Sequence, residues 1–167
     1  VKNYIKSINA DYQFFDKELF ENLELYMNDK PNKYDNNKGL LFIGGVGSGK
    51  TALMNMLRGY GSKVGLIMNV LDFELEQDLN YFTIDLNLCI DDIGSENPIN
   101  QNYGNKYNIV ESVIQRFYQR AFQNGYYFCG TSNLTTAQLN KTYSERVVDR
   151  MKEMVNIIPI NNKSFRK

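Results

Sequence analysis

The sequence has 167 residues, 43% apolar and 23% charged, which suits one domain with its own core, and no apolar run nears the roughly 18 residues of a membrane span. Nineteen Lys and Arg balance nineteen Asp and Glu, so bulk charge makes no argument for a nucleic-acid partner. With no histidine and no C-x-x-C, a His-based triad and a zinc site are excluded, and any metal must be held by oxygen.

Residues 1–38 read as a helical lead-in. The spacing of Leu19, Phe20, Leu23, Tyr26 and Met27 predicts a helix over 16–30, and a polar turn-rich loop follows over 31–38. Residues 39–44 are a short apolar run ending in glycine, the pattern of a buried strand. Residues 50–59 continue as a helix with Leu53, Met54 and Leu57 on one side. A second buried strand is expected over 64–71, a short helix over 72–81 and a third strand over 86–91. A long polar loop spans 95–106. Residues 107–124 form a helix whose stripe of Ile109, Val110, Val113, Ile114, Phe117, Ala121 and Phe122 is core, with Gly125 closing its end. A fourth strand is expected over 126–131, short helices over 135–140 and 144–152, and a fifth strand over 154–160. Strands alternating with helices imply a parallel sheet covered on both faces, a three-layer α/β fold with residues 39–167 as its core. Cys89 and Cys129 sit in apolar runs and read as buried reduced thiols, which fits a cytoplasmic compartment.

The run Gly44-Gly45-Val46-Gly47-Ser48-Gly49-Lys50-Thr51, with Ala52 behind it, matches G-x-x-x-x-G-K-[ST] between a strand and a helix. Glycines let the backbone curl so that amides point at phosphate oxygens, and the helix N-terminus adds a favourable dipole. Lys50 is expected to reach the β- and γ-phosphates and Thr51 to ligate Mg²⁺. By average residue usage, a chance match in a chain this long is roughly a one-in-a-hundred event. The expected ligand is therefore ATP with Mg²⁺.

An apolar strand ending in Asp91-Asp92 follows about 40 residues later. Asp91 is expected to hold Mg²⁺ through water, and Asp92 to orient or deprotonate the attacking water. Thr131-Ser132-Asn133 ends the fourth strand, where ligands of open α/β sheets bind. Asn133 is placed to touch the γ-phosphate and the water together. Arg146 and Arg150 lie four apart, on one helix face, as candidate fingers for a neighbour's γ-phosphate. The acidic stretch 72–96 and the basic stretch 141–167 suit a head-to-tail contact between chains.

These motifs in order, the P-loop, Cys89-Ile90-Asp91-Asp92-Ile93-Gly94-Ser95-Glu96, Gly130-Thr131-Ser132-Asn133-Leu134-Thr135 and Glu145-Arg146-Val147-Val148-Asp149-Arg150-Met151, resemble the AAA+ ATPase domain of the DnaC/DnaI helicase loaders and the IstB transposition ATPases. The resemblance runs from about Gly39 to Arg166. It implies an ASCE-type P-loop sheet of order 5-1-4-3-2 without a C-terminal helical lid. It implies that Asn133 is sensor 1, that Arg150 is the arginine finger with Arg146 in reserve, and that hydrolysis is slow and assembly-dependent. It also implies ATP-dependent head-to-tail homo-oligomers on single-stranded DNA and a replicative helicase or transposase as partner. Asn162-Lys163-Ser164-Phe165-Arg166 echoes the family's closing Gly-x-Ser-Tyr-Arg without its glycine. Tyr103 and Lys106 are candidates for stacking and charge against single-stranded DNA. Two other readings stay open: a nucleotide-gated scaffold with negligible hydrolysis, and a small P-loop kinase. Against the kinase, no Arg-rich lid segment follows the fourth strand.

Overall fold

The computed structural model describes residues 17–75, 86–97, 100–102 and 105–161. In chain order the elements are α1 (Lys17–Met27), β1 (Gly39–Ile43), α2 (Lys50–Tyr60), β2 (Leu66–Asn69), α3 (Val70–Leu75), β3 (Leu88–Ile93), β4 (Asn100–Asn102), β5 (Asn105–Tyr107), α4 (Ile109–Asn124), β6 (Phe128–Ser132), α5 (Thr136–Thr142), α6 (Glu145–Met154) and β7 (Val155–Pro159).

Five strands form one parallel sheet in the order β2-β3-β6-β1-β7, which is the expected 5-1-4-3-2 read from the other edge. The interior strand β1 is buried along its whole length, because β6 and β7 flank it and helices cover both faces. Its side chains alternate. Leu41 and Ile43 join the cluster with Val113, Ile114, Phe117, Val147 and Met151 from α4 and α6. Leu40 and Phe42 join the opposite cluster with Leu23 and Tyr26 of α1 and Leu53, Met54 and Leu57 of α2. Full burial of side chains such as Leu41 or Phe42 contributes about 1.5–3 kcal/mol each. Among the described residues no helix is long and apolar enough to cross a membrane.

Three expectations need correction. The second strand is shorter than 64–71, and the chain turns into α3 at Val70. Asn69 ends it, since its side chain accepts from the Leu71 amide (3.0 Å) while Asp72 accepts from the Asn69 amide (3.2 Å). The third strand runs on to Ile93, with a register shift between Ile90 and Ile93. The polar loop over 95–106 contains an antiparallel ribbon, β4 against β5, that its Asn-rich composition hid because it has no apolar alternation. The outer part of the expected 72–81 helix, Tyr103, the side chain of Lys106, all of the lead-in before Lys17 and the motif over 162–166 lie outside the described residues.

Lys63 is a charge that no sequence motif marks. It is only 5% exposed, and its ammonium pairs with Asp29 (2.5 Å) and donates to the carbonyls of Tyr26 (3.0 Å) and Asn36 (3.3 Å). The charge also lies 4.2 Å from the Tyr26 ring centroid. A buried ammonium is tolerated only with such partners, and here they pin the end of α1 and the loop after it.

Both cysteines are fully buried, and they face each other in the β3–β6 register. Burial pushes the Cys129 thiol up to about 12 and the Cys89 thiol well above its ordinary value. Neither thiol is expected to react with iodoacetamide at neutral pH in the folded chain, and both are expected to react in denaturant, read by intact mass. The stability linked to the Cys129 proton is complete below its ordinary value of 9.0 and is lost as pH rises from there toward about 12, because only the unfolded chain ionises in that window.

Candidate functional site

The site forms where β1, β3 and β6 end side by side. The Gly44 amide donates to the Ser132 carbonyl (3.1 Å), which fixes the mouth of the P-loop on β6. The loop then curls through Gly47 (φ 79°) and Gly49 (φ 93°), a left-handed backbone that costs little only for glycine. Gly49 immediately precedes α2, whose first-turn amides have no acceptor inside the helix and no side-chain cap from Gly49. Val46, 60% exposed, forms the outer rim, and Ala52 lies in the first turn of α2.

Lys50 is buried, with its ammonium turned back into the loop. It donates to the carbonyls of Gly44 (2.8 Å) and Gly45 (2.9 Å), to Ser48 Oγ (3.4 Å) and to Asn133 Oδ1 (2.8 Å). Asn133 Nδ2 in turn donates to Asp92 Oδ1 (3.2 Å). One amide thus bridges the lysine of the P-loop and the second aspartate of β3. Thr51 Oγ1 donates to both oxygens of Asp91 (2.9 and 3.2 Å). The structure thus brings Lys50, Thr51, Asp91, Asp92 and Asn133 together through the pairs Lys50–Asn133, Thr51–Asp91 and Asp92–Asn133.

Thr131 belongs to the strand-end motif, and only the structure gives it a role. Its hydroxyl donates to Asp91 Oδ1 (2.6 Å) and accepts from the Asp92 amide (3.0 Å), so one buried side chain sets both aspartates. Ser132 Oγ donates to the Ile93 carbonyl (2.5 Å) and accepts from the Leu134 amide (3.1 Å), which steers the chain as it leaves β6. Asp92 itself sits at φ 62°, a left-handed conformation that Asp tolerates better than most residues. Strain of this kind gathers at functional sites, and here it coincides with the irregular register of β3.

The donor set fits Mg²⁺. A hydroxyl and a carboxylate already share one point at the cradle's edge, both hard oxygen donors, and Mg²⁺ uses one or two protein oxygens alongside phosphates and water. Among the described residues no group of three or more Cys, Asp or Glu could hold an ion by protein ligands alone.

Arg146 and Arg150 are not drawn into this network. Arg146 is exposed on α6. The Arg150 guanidinium lies 4.6 Å from the centroid of the Tyr118 ring on α4, and Tyr118 donates its hydroxyl to Glu153 (2.7 Å). Arg146 is thus exposed and Arg150 half-buried, and the Arg150 ring contact is with α4 rather than with the P-loop.

No family model matches the sequence, and neither does any curated protein. Solved structures do match. DnaI aligns with a TM-score of 0.66 at 24% identity, over 94% of this chain and 89% of that one. The DnaC helicase loader aligns with a TM-score of 0.63 at 18% identity, over 98% and 100%. The replication initiator DnaA bound to AMPPCP and single-stranded DNA aligns with a TM-score of 0.59 at 14% identity, over 93% of this chain and 51% of that one. The chain therefore shares the fold of these structures, a parallel P-loop sheet covered by helices on both faces, as expected.

Proposed function

We propose that the chain binds ATP with Mg²⁺ and hydrolyses it slowly in a head-to-tail assembly, as the ATPase domain of a cytoplasmic helicase-loader-like or IstB-like protein. The observation that carries this is the convergence of Lys50, Thr51, Asp91, Asp92 and Asn133, from three separate strand ends, on one glycine cradle. The AMPPCP in the DnaA neighbour supports an adenine nucleotide as the ligand.

In this reading residues 44–52 hold the triphosphate by main-chain amides, and Lys50 exchanges its loop carbonyls for the β- and γ-phosphates. Thr51 and Asp91 would hold Mg²⁺, which supplies charge neutralisation at the phosphates when bound. Asp92 takes a proton from, or orients, the attacking water, and Asn133 orients that water against the γ-phosphate. Asn133 holds Lys50 through Oδ1 and Asp92 through Nδ2, so phosphate that draws Lys50 away leaves the Asn133 oxygen open to accept from the water. Arg150, or Arg146 in reserve, comes from the next subunit. The single-stranded DNA on the DnaA neighbour and the loader role named for DnaC support DNA and a replicative helicase as partners, with a transposase as the alternative.

Asp92 favours one further reading, a nucleotide-gated scaffold with negligible hydrolysis. Its carboxylate is short and already engaged by Asn133. Steady-state phosphate release, measured across protein concentration with and without single-stranded DNA, separates the two. Turnover per subunit that rises with concentration is expected; no release at any concentration would leave the scaffold.

A further inference from the structure

Glu96 stands four residues beyond Asp92 and is 7% exposed. Burying a carboxylate is costly unless donors surround it. Here Oε2 accepts from the Gly94 amide (2.8 Å), and Oε1 accepts from the Tyr143 hydroxyl (2.5 Å) and from Asn108 Nδ2 (3.3 Å). The Gly94 bond anchors it to the turn that leaves β3, where the Ser95 amide and hydroxyl both close back on the Asp92 carbonyl (3.0 and 2.7 Å).

The other two bonds lead to α6. Tyr143 is itself a core residue, two positions before α6 begins. Asn108 starts α4, accepting from the Glu111 amide (3.0 Å), and Glu111 Oε1 accepts from the Ser144 amide (2.5 Å). Ser144 is the residue from which α6 starts. Both residues that launch the arginine-bearing helix are thus tied to Glu96, one directly and one through Asn108 and Glu111. Gly94, two residues after Asp92, holds the other end.

We propose that Glu96 is a positioning residue that sets α6, and with it Arg146 and Arg150, against the Asp92 end of β3, so that each subunit presents its arginine in register to its neighbour. This rests on the assembly-dependent ATPase reading above. The consequence is directional. A subunit lacking the Glu96 carboxylate keeps its own cradle but becomes a poor arginine donor.

The test is Glu96→Gln in the full chain. Glutamine keeps the volume but turns an amide N–H toward a donor, the Gly94 amide or the Tyr143–Asn108 pair. ATP affinity by calorimetry is expected to stay within about twofold, while assembly-dependent kcat falls about 100-fold, the cost of misplacing a reacting group by an ångström. Mixing with Lys50→Ala subunits, which offer an intact α6 but no nucleotide site, is expected to restore turnover per Glu96→Gln subunit. Failure of the mixture to restore it places the defect in the variant's own site and overturns the proposal. So does a variant with wild-type kcat. If Glu96→Gln does not fold, Tyr143→Phe, which keeps the ring and removes one bond, takes its place in the same mixing experiment: restored turnover supports the proposal, and unrestored turnover overturns it. A wild-type chain without concentration-dependent turnover is a different failure: it removes the ATPase reading itself, and the proposal with it.

Discussion

Lys50→Ala is expected to abolish ATP binding at micromolar nucleotide. The ammonium sits inside the cradle and, among the described residues, is the one positive side chain bonded to the Gly44 and Gly45 carbonyls. Two or more charge-assisted bonds to phosphate contribute about 1.5–3 kcal/mol each, so their loss weakens binding by roughly 10²–10⁴-fold. The fold itself is expected to survive. The acceptors Lys50 leaves behind line an open loop with Gly45 and Val46 exposed, where water replaces the lost donor. Calorimetry for affinity and circular dichroism for the fold check both halves. A variant that binds ATP as tightly as the parent removes the P-loop from the functional account.

Arg150→Ala is expected to leave ATP binding intact and to lower assembly-dependent turnover by about 10³–10⁵-fold, the range over which arginine fingers act. The resting position of the guanidinium is no energetic obstacle. Stacking on the Tyr118 ring at a partly exposed site is worth about 0.5–1 kcal/mol, which a neighbour's phosphate outcompetes. The measurement is phosphate release against protein concentration. Release that is flat with concentration in the parent, and unchanged in the variant, counts against a finger in trans. Arg146→Ala in the same assay shows which arginine acts: Arg146 is exposed and lies one turn earlier on the same face.

Cradle and finger draw on different kinds of information. The cradle is legible in eight contiguous residues because its chemistry is local: glycines at Gly47 and Gly49 permit the backbone curl, and the helix that follows supplies the dipole. The buried helix stripe also follows from sequence, since apolar periodicity fixes which face of the helix must be covered, whereas the sheet order came only with the family resemblance of the ordered motifs. The extent of β2 and the ribbon of β4 and β5 do not. In both places polar asparagines decide the chain's path through side-chain-to-backbone bonds or a two-strand ladder, and neither leaves an apolar pattern.

The sequence by itself determined the P-loop, the strand-end carboxylates and the polar residue opposite them, because each is set by neighbours along the chain. Only the tertiary structure decided how they meet. Thr131 reaches Asp91 across 40 residues because β3 and β6 are adjacent with Cys89 beside Cys129, and a slip of one residue would turn the hydroxyl to the other face. The same holds for Glu96 and Tyr143, 47 residues apart, and for Lys63 under Asp29. A buried charge finds its partner through the folded register, and that register is the sum of many packing contacts that no short stretch of sequence contains.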